Sequence, residues 1–283
     1  MNIERDLHIA KGEGETSYVN NSRLQQKALL ETEVVLEKAV REVCMDIHQP
    51  TMTSVDLGCS SGQNTLFFVS KVIKVVGRDN DEKSRCNSVE LQFFLNDLPG
   101  NDFNHVFRSL ERFKESITAE HKENTLLPAF YIAGLPGSYY TRLFPRQSCH
   151  LFHSSFCLHW RSRGLLKKEK LDSFNLPVYT PSINEVKAVV TQNELFNVSH
   201  IKLFESNWDP HDDSQGDDAH NTIQSAINIA QSLRAVFGPL LASHFGESLL
   251  NEIFKKCAYY VTGHLAERGE GKYLLICVSL KRT

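Results

Sequence analysis

Nowhere does the sequence hold an apolar run approaching the roughly 18 residues that a membrane-spanning helix needs. Its first residues, MNIERDLHIAKGEGETS, are charged and carry no apolar core of signal-peptide length. These absences lead to the expectation of a soluble, cytoplasmic protein without a membrane partner. Charge of one sign is scarce as well. The formal net charge is -3 and the isoelectric point about 6.5, so no basic surface argues for nucleic acid or an anionic membrane. No C-x-x-C pair occurs, and the seven cysteines, at 44, 59, 86, 149, 157, 257 and 277, are odd in number and unpatterned, which argues for reduced thiols. Internal repeats and low-complexity tracts are missing too. A chain of 283 residues without them fits one large α/β domain or a domain with a cap.

What is present is organised around Thr53 to Thr65, TSVDLGCSSGQNT. Val55, Asp56 and Leu57 are a short β-prone run, Gly58 and Gly62 bracket a polar turn, and Leu66, Phe67, Val69 and Val72 follow at helical spacing. Strand, glycine turn and helix in that order make a junction at the carboxyl end of a strand, where ligands commonly bind in open α/β sheets. Glycines there let the backbone approach a ligand that a Cβ would hold off. Two chemistries fit. One is a nucleotide-type cofactor on the turn, its ribose held by a carboxylate on a later strand end. The other is a hydrolase, since Gly58-Cys59-Ser60-Ser61-Gly62 also matches the G-x-S-x-G nucleophile elbow.

Along the chain, residues 1–22 are polar and glycine-bearing, and a helical pattern begins at Leu24 with Asn21 or Ser22 as N-cap. Strands are expected near 53, 91, 129, 149, 198 and 273, with helices after the first at 66, over Phe103–Ile117, over Ile183–Leu195 and through most of Ala219–Leu265, broken near Gly238-Pro239. Leu91-Gln-Phe-Phe-Leu-Asn-Asp97 ends on a carboxylate, and Ala129-Phe-Tyr-Ile-Ala133 opens into a second glycine turn, Gly134-Leu-Pro-Gly-Ser138. Such an αβ rhythm makes a largely parallel sheet the expected fold. Asp209 to Asp218 reads as a solvated acidic loop without the spacing of a Ca²⁺ site. His150 and His153, three apart on a strand, face opposite sides and cannot chelate one ion together.

The pieces together resemble the plant salicylate/benzoate/theobromine (SABATH) methyltransferases. The residues that carry the resemblance are Ser17-Tyr18-Val-Asn-Asn-Ser-Arg-Leu-Gln25, VDLGCSSGQNT, FFLNDLPGNDFN, GLPGSYYTRLFP, HSSFCLHW, KEKLDSFNLP and ASHFGESLLNEIF, in the family's order. The resemblance implies a Rossmann-like class I methyltransferase fold: α/β, mostly parallel, helices on both faces, with a reduced helical cap. It implies a single domain over 1–283, comprising an N-terminal lid segment at 1–25, a cofactor-binding core at 26–160 and 196–283, and a cap remnant at 161–195. It also implies transfer of a methyl group from S-adenosylmethionine to the carboxylate of a small aromatic acid, and a homodimer.

Roles follow by resemblance, residue by residue. Tyr18, Cys59 and Asn64 lie near the sulfonium and its amino-acid tail, with Asp56 just inside; Asp97 holds the ribose diol, Leu98 packs on the adenine, and Ser138 and Tyr139 close its other side. Gln25 and Trp160 orient the acid, and Phe156 and His159 line its pocket. Many relatives carry tyrosine where this chain has Phe156, so the wall there is drier. Asp172, Phe174 (through its carbonyl) and Asn175 match part of a Mg²⁺ site whose oxygen ligands suit a hard ion. Duller readings stand beside these: Asp97 as the N-cap of the next helix, Cys59 as a small buried residue, Trp160 as a core aromatic.

Relatives carry a further strand and helix between Trp160 and Lys167, where this chain passes almost directly from LHWRS to RGLLKKEK. That strand belongs inside the sheet, so its loss is expected to leave a gap or to make its neighbour pair elsewhere. The expected outcome is an enzyme, or a paralogue of impaired activity that binds cofactor or dimerises with full-length relatives. The hydrolase alternative requires Ser60 to work with Asp97 and then His153, an order the sequence supplies.

Overall fold

The computed structural model describes residues 9–77, 89–120, 127–157, 178–211, 222–269 and 271–283. Two compact units make it up, Glu31–Cys157 and a unit joining residues 1–30 to 158–283.

The helical pattern that begins at Leu24 is two helices, α1 (Arg23–Glu31) and α2 (Glu33–Asp46), separated at Thr32. The unit of Glu31–Cys157 continues from α2 with β1 (Thr51–Leu57), α3 (Gln63–Gly77), β2 (Glu90–Asp97), α4 (Phe103–Glu120), β3 (Phe130–Pro136) and β4 (Leu151–Ser154). The four strands form one wholly parallel sheet in the order β3-β2-β1-β4. Residues 52–56 of β1 are all buried although successive side chains point to opposite faces. Both faces of the sheet's middle are therefore covered, as a parallel sheet requires. On them pack Val40 and Cys44 of α2, Phe68, Val69, Val72 and Val76 of α3, and Val106 and Ile117 of α4, around Met52, Leu91, Phe93 and Leu95. Close packing also needs Gly134 on β3, since a Cβ there would stand 2.7 Å from the ring of Phe107 on α4.

In the other unit, α5 (Ile183–Asn193) starts on a capping box in which Ser182 Oγ accepts from Glu185 N and the Glu185 carboxylate accepts from Ser182 N. There follow β5 (Phe196–Asn207), α6 (Thr222–Phe245), a 3₁₀ turn at Glu247–Leu249, α7 (Leu250–Arg268) and β6 (Lys272–Arg282). β5 and β6 form an antiparallel pair of their own. All six strands expected from sequence are present. Among the described residues they make two sheets, and β4 has β1 as its one partner.

Three expectations need correcting. The helix α6 runs through Gly238-Pro239 without a break. Proline supplies no N–H to the carbonyl four residues back, Ala235, and that carbonyl instead accepts the backbone N–H of Ala10 at 2.9 Å. Asp209 is not solvated: it is buried, and its carboxylate accepts from His211 N at 2.9 Å and Asn228 Nδ2 at 3.2 Å. Nor are all thiols reduced, because Cys44 is disulfide-bonded, while Cys59, Cys149, Cys157, Cys257 and Cys277 are free. Among the described residues no helix is long and apolar enough to cross a membrane.

Candidate functional site

The parallel register brings the ends of β1, β2, β3 and β4 level, since Leu57 pairs with Asn96 and with Ser154, and Asp97 with Pro136. At the first of these ends the chain turns on Gly58, whose φ of +78° is in the left-handed region. Glycine is needed there for a second reason: a Cβ would stand 2.1 Å from the sulfur of Cys157, beyond the end of β4. Ser60 is also left-handed, at φ 59°.

Asn96 fixes this turn from below. Its carbonyl accepts from Gly58 N at 2.8 Å and Cys59 N at 2.9 Å, while its side-chain Nδ2 donates to the carbonyls of Leu135 at 2.8 Å and Gly137 at 2.9 Å on the β3 side. One buried amide thus ties together the turns that follow β1 and β3. Sequence reasoning did not single it out. The available signal was a polar residue at an inward position of an apolar strand.

Asp97 reaches across to the first turn. Its Oδ2 accepts from Ser60 N at 2.7 Å and its Oδ1 from Leu98 N at 2.7 Å. Each oxygen keeps a free lone pair, so a vicinal diol still finds two acceptors. Enclosure raises its pKa above the ordinary 3.8, with the two backbone N–H bonds opposing and Asp56 adding to the shift. It is not the N-cap of the following helix. Asp102 fills that place, with Oδ1 accepting from His105 N at 3.0 Å. Asn101 completes the link by donating Nδ2 to Ser60 O at 2.9 Å.

Below the turn, Asp56 is buried on β1 with Oδ1 2.7 Å from His153 Nδ1 on β4, and the imidazole stacks on Phe68 at 4.5 Å between centroids. His150 has a separate partner, Nδ1 accepting from Thr53 N at 2.9 Å. The Ser60, Asp97, His153 constellation does not assemble either: Asp97 is bonded to backbone, His153 to Asp56, and Ser60 Oγ accepts from Ser61 N.

Of the other expected residues, Cys59 is buried at the turn and Asn64 lies in the first turn of α3. Burial, with Asp97 and Asp56 nearby, pushes the Cys59 thiol well up. Ser138 and Tyr139 begin the turn beyond β3, and burial raises the Tyr139 hydroxyl, which donates to Cys157 O at 2.9 Å. Phe156 is left-handed at φ 56°, uncommon for a bulky side chain. In the other unit, Tyr18 is buried with its N–H on Ala10 O at 2.9 Å, and Gln25 is buried on α1 with Oε1 lacking a hydrogen-bond partner. His159, Trp160, Asp172, Phe174 and Asn175 lie outside the described residues, and with them the expected Mg²⁺ ligands.

The strand-end turns suit a nucleoside-bearing methyl donor. The Asp97 carboxylate stands at the neighbouring strand end with lone pairs to spare, and Ser61 Oγ, Thr65 Oγ1 and Asn96 Oδ1 are buried without protein partners.

Comparison with known proteins bears on the same region. A sequence profile described as SAM dependent carboxyl methyltransferase matches residues 4–163 and 162–283, two segments that meet where the chain was read as shortened. Anthranilate O-methyltransferase 1 of Zea mays is 41% identical over 377 aligned positions that cover 100% of this chain and 98% of the relative. Inactive anthranilate O-methyltransferase 1 of the same species is 40% identical over 377 positions, with 100% and 98% covered. A solved structure of loganic acid methyltransferase with SAH superposes with a TM-score of 0.72 over 98% of this chain and 99% of that one, at 22% identity.

Proposed function

Since the chain belongs to the S-adenosylmethionine-dependent carboxyl methyltransferase family, we propose that it methylates the carboxylate of a small aromatic acid of the anthranilate, benzoate or salicylate type, giving the methyl ester. The observation that carries this reading is the bridge from the β2-end carboxylate, Asp97, to the N–H of Ser60 on the β1 turn, which builds one continuous seat from two strand ends. S-adenosylmethionine, when bound, supplies an electrophilic methyl group on a sulfonium.

The residues of the chain do the rest. Asp97 accepts the ribose hydroxyls with its remaining lone pairs, Leu98, Ser138 and Tyr139 hold the adenine, and Tyr18, Asp56, Cys59 and Asn64 hold the amino-acid tail. Protonated thiols at Cys59 and Cys157, the latter pushed up to about 12 by burial, present no thiolate that would compete for the methyl. An aromatic acid with a pKa near ~4 is already ionised at neutral pH, so no general base is required. Position is what the protein contributes, by Gln25 and Trp160 donating N–H groups to the carboxylate and by Phe156 and His159 confining the ring. Alignment of this kind supplies up to roughly 7–11 kcal/mol. In the same reading the protein is a cytoplasmic homodimer, which light scattering of the purified chain measures, and Asp172, Phe174 and Asn175 would supply part of the oxygen ligands of a Mg²⁺ ion.

The test is methyl transfer from labelled S-adenosylmethionine to anthranilate, benzoate, salicylate, jasmonate and indole-acetate. Methyl anthranilate or methyl benzoate is the expected product. A second reading, a cofactor-binding paralogue without turnover, is favoured by the split of the strands into two sheets and by the inactive relative at 40% identity. It predicts S-adenosylhomocysteine binding with no ester from any acid. Absence of binding at millimolar ligand would overturn both.

A further inference from the structure

The three residues after β4 are held from two directions. Cys157 sulfur lies 3.6 Å from the carbonyl of Gly58 and occupies the space where that glycine has no side chain. The carbonyl of Cys157 accepts the hydroxyl of Tyr139 at 2.9 Å. Immediately before these anchors the Cys157 thiol lies 3.0 Å from the carbonyl of Ser155, and Phe156 between the two residues is left-handed. Two grips on one peptide, from the turn after β1 and the turn after β3, fix a backbone conformation that a phenylalanine does not adopt unaided.

We infer that Tyr139 is a positioning residue: its hydroxyl, bonded to Cys157 O, transmits the seating of the methyl donor to the segment beginning at Phe156. The inference rests on the proposed function, in which the Tyr139 ring flanks the adenine and Phe156 faces the acid. A tyrosine has two soft side-chain angles, χ1 and χ2, and a ligand against the ring restricts both. The hydroxyl then stops moving with the ring, and the carbonyl it holds becomes a fixed point for the residues on either side. Phenylalanine at 139 would keep the wall and lose the connection. The thermodynamic counterpart is a coupling between donor and acceptor binding, and coupling is reciprocal.

Amide hydrogen exchange on the full chain, with and without S-adenosylhomocysteine, tests this independently of turnover. In the unaltered protein the ligand is expected to slow exchange in peptides covering residues 58–65 and in those covering 153–157. In Tyr139→Phe the slowing at 58–65 persists while that at 153–157 falls by at least fivefold. A companion variant, Tyr131→Phe, alters an exposed ring on β3 and is expected to leave both responses in place. Slowing at 153–157 that survives Tyr139→Phe would overturn the inference alone, as would a ligand response confined to 58–65 in the unaltered chain. No response in either segment would overturn the donor reading and the inference with it. If the unaltered chain binds anthranilate, its affinity should rise when S-adenosylhomocysteine is present, and that rise should shrink in Tyr139→Phe; a rise of the same size would also count against the assignment.

Discussion

The backbone N–H of Ala10 donates to the carbonyl of Ala235 at 2.9 Å, on the carbonyl that Pro239 leaves without an in-helix donor. From Ala10 the connection continues, since its own carbonyl accepts from Tyr18 N at 2.9 Å. A proline that looks like a helix breaker in the sequence therefore creates an attachment point for the segment bearing Tyr18. Pro239→Ala restores an N–H to α6, and proline costs about 3 kcal/mol relative to alanine in a helix interior. The variant should raise the thermal midpoint yet speed amide exchange at residues 10–18. A higher midpoint with unchanged exchange in that segment would show that Ala10 does not depend on the freed carbonyl.

Gly58→Ala places a methyl group against the Cys157 sulfur and forces alanine into a left-handed conformation. The two effects together should cost about 2–4 kcal/mol, read from denaturant unfolding. Adding Cys157→Ala removes the sulfur and should recover the steric part, while the backbone strain of about 1 kcal/mol stays. Equal stability of the single and double variants would mean that the sulfur is not the obstacle.

Asp97 gives opposite slopes for stability and ligand binding as the pH falls. Its folded-state pKa is raised above 3.8 by burial, so the folded protein takes up this proton at a higher pH than the unfolded chain does. This group's contribution to stability therefore grows on acidification through that raised value and is lost again as the pH rises. The ribose diol needs the carboxylate as acceptor, so S-adenosylhomocysteine affinity should fall over the same interval, beginning above the range of a free aspartate. Calorimetric titration at several pH values checks the sign, and an affinity that stays flat down to pH 4 would remove Asp97 from the ribose.

Asn96 donates two hydrogen bonds to carbonyls from a fully buried position. Asn96→Asp replaces that donor by an oxygen facing both carbonyls, and a loss of about 3–5 kcal/mol is expected at neutral pH, as for a buried charge without its partner. Part should return at acid pH, where a protonated carboxyl again donates one bond. Unfolding curves at neutral and acid pH provide the comparison. A loss independent of pH would place the cause elsewhere than in the donor.

The strands β1, β2 and β3 were legible because each is a short apolar run ended by a glycine, an acid or a proline, and the β1 turn because Gly58 and Gly62 bracket it. Asp97 was legible as a carboxylate closing a strand, but its bond to Ser60 N was not. That bond depends on β1 and β2 pairing in register, a fact of the sheet rather than of either segment. Cys157 was missed for the same reason. Nothing in HSSFCLHW says that the thiol fills the space beside Gly58, 99 residues away in sequence. The continuity of α6 through Pro239 was also hidden, because the compensating donor, Ala10, comes from the far end of the chain. Local chemistry gave the elements; long-range hydrogen bonds decided how each is used.

The order β3-β2-β1-β4 breaks off at a boundary between strands rather than within one. A break of that kind leaves the pairings of β3 with β2, β2 with β1 and β1 with β4 whole. Grafting a relative's intervening segment between residues 162 and 163 should extend the sheet outward from β4 while the contacts around Gly58, Asn96 and Asp97 keep their partners.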